Sequence, residues 1–272
     1  MTADPSEADT LEATIGLALA DVVAHLDAVL RTREVPDYPG AVNGLQVANS
    51  GHVTRVAVAV DFSRAAVEQA VAAGASLLVV HHGMFWGGAQ PMVGPAYERV
   101  RRVFAGDLAV YASHLPLDAH PTLGNNVLLA RELGLEPTDG FARFKTVDVG
   151  VRGEADVDTA ELVARARAHS ARWGHALVHT PLAPGQRTRC WGLCTGAGAS
   201  SDTLAEASAR GLDTLIVGEG PHHTAVEAAE RGVTVLYAGH YATETLGVRA
   251  LGGELERTFG LPWSFVGEPT GV

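Results

Sequence analysis

Apolar and polar positions alternate along this chain in two rhythms. "TLEATIGLALADVVAHLDAVL" (10–30) spaces its apolar residues three and four apart, which predicts a first helix. "AVNGLQV" (41–47) follows, with a turn at Asn43-Gly44. "TRVAVAV" (54–60) is a continuous apolar run that reads as a strand ending at Asp61. Ser63 is placed to cap the next helix, "RAAVEQAVAAG", which stops at Gly74. "SLLVV" (76–80) is a second strand and runs straight into His81 and His82. "PAYERVRRVFAG" predicts a helix, "LAVYA" (108–112) a strand, "SHLPLDAHPTLGNN" a long polar loop and "VLLARELG" a helix. Strands alternate with helices, so the pattern predicts an α/β architecture with helices covering the sheet.

The stretch 141–184 reads as a connector or extra layer. "FKTVDVGV" and "HALVHT" are strand-like, and Asp158 is placed to cap "TAELVARARAHSA". His169, His175 and His179 in this stretch read as structural or surface residues. The first pattern then begins again. "RCWGLCTGAGASSDTLAEASARGLDTLIVGEGPHH" (189–223) parallels "RVAVAVDFSRAAVEQAVAAGASLLVVHHG" (55–83), and "VTVLYAGHYATETLG" (233–247) parallels "LAVYASHLPLDAHPTLG" (108–124). The shift that places His114 on His240 also places Asp118 on Glu244. Each half therefore carries a strand, then His-x-x-x-carboxylate, then Leu-Gly. The expected fold is two similar α/β domains related by internal duplication, with helices packed on mixed sheets. Its expected parts are a first half, 1–135, a connector, 136–187, and a second half, 188–272.

A chain of 272 residues suits one large domain or two intimate ones. Hydrophobic content of 47% against 19% charged residues marks it as globular rather than disordered. The net charge of −11 argues against a nucleic-acid or anionic-membrane binder. It leaves room for an anionic small substrate held over metal ions. Lys145 is the only lysine among many arginines, which reads as a coding bias. Cys190 and Cys194 in "CWGLC" do not have zinc-ribbon spacing and lie too far apart on a strand to bridge, so both are expected reduced. The opening "MTADPSEADT" is acidic and polar, unlike a secretory signal, and no apolar run approaches the roughly 18 residues of a membrane span. A soluble, cytoplasmic protein is expected.

Successive side chains of a strand point to opposite faces, so His81 and His82 can share a target only where the strand ends and the chain turns. In open α/β sheets, ligands bind outside the carboxyl ends of strands. His81, His82, His114, Asp118, His240 and Glu244 all fall at such ends, and two halves packed about a pseudo-two-fold would bring them together. Imidazole and carboxylate are ligands for zinc, iron or manganese. Four imidazoles and two carboxylates exceed one tetrahedral site and suit two divalent ions about 3.5–4 Å apart. His240 and Glu244 open a predicted helix one turn apart, whereas Pro116 is expected to make the matching segment a turn, with Asp118 in a loop.

Nearby groups divide between structural and chemical readings. "GMFWGG" (83–88) is packing or an apolar wall beside the metals. "GEGPHH" (218–223) offers Glu219, His222 and His223 for proton transfer or substrate positioning. His120 is expected to point to solvent. "GNN" (124–126) is a turn and helix cap, or else orients a ligand. No serine stands in a nucleophile elbow, and neither a Walker A nor a G-x-G-x-x-G loop follows the first strand.

"NGLQV", "VDFS", "HHGMFW", "SHLPLDAHPTLGNN", "GEGPHH" and "GHYATETLG" together resemble the successive motifs of the Nif-three-like family, also called type 2 GTP cyclohydrolase I. The resemblance runs from about residue 20 to 267. It implies two similar α/β domains, a toroidal hexamer and a dinuclear metal centre. His81, His82, Asp118, His240 and Glu244 would be the ligands, with carboxylate bridging, and His114 would line the site or add a further ligand. The chain has no room for the extra domain inserted in longer members. It departs at Tyr241, where close relatives often carry a second His; a phenol there can hydrogen-bond but is a poorer ligand. Two functions follow. One is a hydrolase in which two metals generate hydroxide near neutral pH, acting on GTP or another nucleotide. The other is a non-catalytic module that binds metal or a partner.

Overall fold

The structure is a computed structural model describing residues 16–272. The first half runs β1 (Leu17–Ala18), α1 (Leu19–Leu30), β2 (Gly44–Val47), β3 (His52–Val53), β4 (Val56–Asp61), α2 (Arg64–Ala72), β5 (Leu77–His82), α3 (Gly94–Ala105), β6 (Ala109–Ala112), α4 (Leu115–Asp118) and α5 (Asn125–Glu132). The middle contributes β7 (Asp139–Phe144), β8 (Val147–Asp158), α6 (Thr159–Ala171) and β9 (Val178–His179). The second half runs β10 (Arg187–Cys194), α7 (Ser201–Ala209), β11 (Thr214–Val217), α8 (His222–Glu230), β12 (Thr234–Tyr237), α9 (His240–Thr243), α10 (Thr245–Phe259) and β13 (Trp263–Phe265). Residues 10–15 of the expected first helix lie outside the described residues, and Leu17–Ala18 pair with β3 as a strand instead, so the helix begins at Leu19. Among the described residues no helix is long and apolar enough to cross a membrane.

Two mixed sheets carry the fold. One has the order β13-β4-β5-β6-β2, and the other β7-β8-β10-β11-β12-β9. Their centres match: β4, β5 and β6 are parallel neighbours, as are β10, β11 and β12. Val56–Val60, Leu77–Val80 and Leu215–Val217 are buried throughout, as strands covered on both faces must be. Two caps are as expected: Ser63 accepts from Ala66 N and Asp158 from Ala160 N. Ser200 caps α7 in the same way, accepting from Thr203 N. Gly74 ends the turn after α2 at φ +68°.

Three features differ from the expectation. The stretch expected as a connector is part of the second sheet. The β7–β8 hairpin and β9 extend it at its two edges, all in antiparallel pairings. The polar loop after β6 contains the short helix α4, because Pro116 is tolerated in a first helical turn and Leu115 and Leu117 are buried. The last helix of each half also crosses to the other half's sheet. Leu129 of α5 and Leu133 at its C-cap pack with Trp191, Leu193 and Leu236. Val248, Leu251 and Leu255 of α10 pack with Val56, Val58, Leu77 and Val79. After α10, β13 pairs parallel with β4 at the edge of the first sheet. This exchange turns the two sets of strand ends toward one another.

Candidate metal centre

Strand β5 delivers the double histidine. His81 is buried, and its Nδ1–H donates to the Ser113 carbonyl at 2.9 Å. Its Nε2 faces Glu244 Oε1 at 3.4 Å and Asp118 Oδ2 at 3.5 Å. His82 Nδ1 donates to Asp61 Oδ1 at 2.9 Å, and its Nε2 lies 3.4 Å from Glu244 Oε2. Asp61 ends β4 directly opposite His82 in the parallel register.

The two His-x-x-x-carboxylate segments take similar shapes. Asp118 N donates to His114 O at 3.1 Å, so His114 to Asp118 forms a helical turn rather than the loop expected from Pro116. Asp118 Oδ1 accepts from Asn125 Nδ2 at 2.9 Å. His114 Nδ1 donates to Asp37 Oδ1 at 2.8 Å, and Asp37 also accepts from Leu115 N and Asn43. In the second half, His240 Nε2 lies 3.2 Å from Glu244 Oε2, and His240 Nδ1 donates to Glu219 Oε1 at 2.7 Å. Gly196 leaves the space Glu244 needs: a Cβ there would fall 2.1 Å from Glu244 Oε1.

Three trios bring their donor atoms within 4.8 Å of one another: His81-Asp118-Glu244, His82-His240-Glu244 and His81-His82-His114. His81 Nε2 and Glu244 Oε2 are buried and form no well-aligned hydrogen bond, although imidazole and carboxylate atoms face them at 3.2 to 3.5 Å. Buried polar atoms are rarely left so. Three of the four imidazoles have Nδ1 committed to a carboxylate, which leaves Nε2 as the donor and is the usual arrangement behind a metal-ligating histidine. Burial opposes charge on His81, but Asp118 and Glu244 outweigh it and push the imidazole up to about 10. Burial likewise opposes charge on His240, yet Glu244 and Glu219 push it up to about 9. Glu244 is held well below the usual carboxylate range against its burial, by His82, His81 and His240. A divalent cation binding here would displace the extra protons on His81 and His240 and take their place among the carboxylates, and imidazoles and carboxylates at this spacing suit such an ion. Cys194 borders the cavity but joins none of the three trios, and burial, then Asp118 and Glu244, push its thiol up to about 12.

The cluster lies beside a cavity of about 590 Å³ whose walls include Tyr38, Trp86, Phe144, Arg143 and Asp118. His114 borders it, with its ring edge-on to Trp86 at 4.4 Å. His222 and His223 are not brought to the cluster. Both are exposed at the start of α8 and line a separate hollow with Val226 and Glu227. Glu219 reaches the cluster only through His240. His120 is half-buried and accepts at Nδ1 from Leu123 N. Asn125 performs the orienting alternative weighed for "GNN". Tyr241 is buried and joins none of the three trios. Sequence reasoning gave Asp37 and Asp61 no role. The signal for Asp61 was its place at the end of the strand beside β5; Asp37 lies six residues before the NGLQV motif, outside any pattern that marks it.

Fold and cluster together define a two-sheet α/β protein with a buried histidine–carboxylate centre. The chain belongs to the Duf34/NIF3 (NGG1p interacting factor 3) family, which matches residues 17–268. It is 40% identical over 252 residues to a GTP cyclohydrolase 1 type 2 homolog of Deinococcus radiodurans, covering 93% of this chain and 94% of that one. It is 40% identical over 257 residues to the homolog of the same name from Halobacterium salinarum, covering 93% and 99%. The crystal structure of TTHA1606 from Thermus thermophilus superposes with a TM-score of 0.81 at 36% identity, covering 94% of this chain and all of that one.

Proposed function

We propose that the chain is a dinuclear metal-dependent hydrolase acting on GTP or another nucleotide. The observation that carries this reading is the pair of trios sharing Glu244, one on each of its oxygens. His81 and Asp118 would hold one ion and His82 and His240 the other, with zinc, iron or manganese the suitable metals. Bound there, such ions supply Lewis-acid activation of water near neutral pH. The chain's own groups do the rest. Tyr38, Trp86 and Phe144 give the cavity flat apolar faces for a heterocyclic base, and Arg143 at its wall, held 3.1 Å from Asp148, would be the cation to meet a phosphate. His114, fixed through Nδ1 by Asp37, keeps Nε2 to hold or pass a proton at the cavity. Glu219 orients His240. The expected setting is a cytoplasmic homo-oligomer of six copies, which light scattering checks: a monomer removes that part of the reading.

The test pairs two measurements on metal-reconstituted protein: metal per chain by elemental analysis, and turnover of GTP and a nucleotide panel. About two ions per chain are expected. His114→Ala should keep the metal and slow turnover about 10²–10⁴-fold; loss of metal instead makes His114 a ligand. If the metal-loaded wild type turns over no nucleotide, the hydrolase reading falls and a metal-binding or partner-binding module replaces it.

A further inference from the structure

The tip of the β7–β8 hairpin reaches the first half and carries a cation to it. The Phe144 ring lies 4.7 Å from that of Tyr38, and Lys145 Nζ donates to the Asp37 carbonyl at 3.0 Å. Lys145 is exposed in the hairpin turn, at φ +49°, with its ammonium 5.0 Å over the Phe144 ring. It is the chain's only lysine, and among the described residues its one hydrogen bond is to that neutral oxygen. The Asp37 carboxylate is taken up instead by His114, Asn43 and the N–H groups of Tyr38 and Leu115.

A row of rings leads from the histidines to this cation. Trp86 lies 4.4 Å from His114 and 5.2 Å from His82, Tyr38 6.3 Å from Trp86, and Phe144 next to Tyr38. All three apolar rings border the main cavity. Its walls hold four carboxylates, Asp118, Asp202, Glu206 and Glu244, and apart from imidazoles one cation, Arg143, which already faces Asp148 at 3.1 Å. On a chain of net charge −11, an anionic ligand is repelled over most of the surface, and the hairpin tip is where this cavity offers positive charge.

We propose that the hairpin tip is the phosphate end of the cavity. Lys145 meets the polyphosphate tail of a nucleoside triphosphate, with Arg143 beside it, and the base lies against Trp86 nearer the histidines. This rests on the nucleotide reading above and adds the residue that selects the charged tail. An ammonium on a flexible four-carbon stem turns readily from a carbonyl to an incoming phosphate, and the phosphate adds a charge attraction that a neutral oxygen does not supply. Arg143 gains less by the same move, because Asp148 already faces it.

The test is calorimetric titration of the metal-reconstituted full chain with GTP, GDP, GMP and guanosine. Wild type should bind GTP more tightly than guanosine. Lys145→Gln should weaken GTP about tenfold, the loss of one hydrogen bond between charged groups, and change guanosine by less than about twofold. Lys145→Arg should recover most of the GTP affinity. An acetyl N-hydroxysuccinimide ester modifies one side-chain amine in this protein, so mass analysis of the peptide holding residue 145 gives a second readout: GTP should protect it and guanosine should not. Unchanged GTP affinity in Lys145→Gln overturns the phosphate role while the nucleotide reading stands. So does equal weakening of GTP and guanosine, which makes Lys145 a latch on Asp37 and nothing more. So do Lys145→Arg as weak as Lys145→Gln, and acetylation that saturating GTP leaves unchanged. A wild type that binds none of the four overturns both.

Discussion

The two halves run the same order of strand and helix, yet they bring different groups to their meeting place. Where β5 ends in His81-His82, the corresponding β11 ends in Val217 and is followed by Gly218 and Glu219. Where β4 ends in Asp61, β10 leads to Thr195 and Gly196. The first half therefore supplies two imidazoles at its strand ends. The second supplies glycine, and the space so left is taken by Glu244, whose carboxylate lies where a Gly196 side chain would be. Only the His-x-x-x-carboxylate turns are kept in both halves. A duplicated scaffold therefore need not make a symmetric cluster: one half provides most of the candidate donors, and the other provides His240 and the carboxylate that two trios share.

Removing the shared carboxylate should have the greatest consequence. Glu244→Gln should take metal content from about two ions per chain to nearly none, because both trios lose a donor. Asp118→Asn, at the matching position, should leave about one, since Asp118 belongs to a single trio. Elemental analysis of both variants decides it. Equal loss would mean the two carboxylates are equivalent, and Glu244 would no longer be the element that joins the positions.

The next test concerns the crossed helices. Leu129 in α5 and Leu251 in α10 are buried in cores built around the opposite half's strands. Leu129→Ala and Leu251→Ala should each destabilise the chain by about 2–5 kcal/mol. Both should lower one common unfolding transition, followed by circular dichroism in denaturant, because each helix ties the halves together. Separate transitions for the two halves would show that the exchange does not couple them.

Much of this was legible in the sequence because it rests on periodicity and local chemistry. The apolar runs gave the parallel strands, Ser63 and Asp158 announced their helices, and the repeated turn with Leu-Gly pointed at His114, Asp118, His240 and Glu244. What was not legible depends on contacts far apart in the chain. Asp37 lies 77 residues from the His114 it orients, and nothing in its neighbours marks it. The exchange of α5 and α10 leaves no trace in hydrophobic pattern, since a helix shows that one face is buried and not what buries it. His222 and His223 were misleading for a related reason: they follow a strand end, but α8 begins at once and carries both to its exposed surface.

A subtler contrast between the halves should emerge with pH. The two His-x-x-x-carboxylate turns are supported by different chemistry. Asn126 Nδ2 donates to the Asp118 carbonyl, and Asn125 Nδ2 to its carboxylate; neither amide titrates. In the second half His169 Nε2–H donates to the Ala242 carbonyl inside the turn, while Glu132 and Arg172 flank its Nδ1. Burial holds the His169 pKa below its ordinary 6.5, against the pull of the Ala242 carbonyl, so the folded chain keeps this imidazole neutral. With the folded pKa depressed, the unfolded chain binds the extra proton first. His169's contribution is therefore complete above 6.5 and is lost as pH falls from there through the lower folded value. The slope can reach about 1.4 kcal/mol per pH unit and no more for one group. Denaturant unfolding of the metal-free chain between neutral and mildly acid pH should show this loss, and His169→Gln should flatten the curve on the acid side. Asn126→Ala should lower stability at every pH by the same amount, since it removes a bond that does not titrate. If His169→Gln leaves the acid slope unchanged, the second turn is no more sensitive to acid than the first.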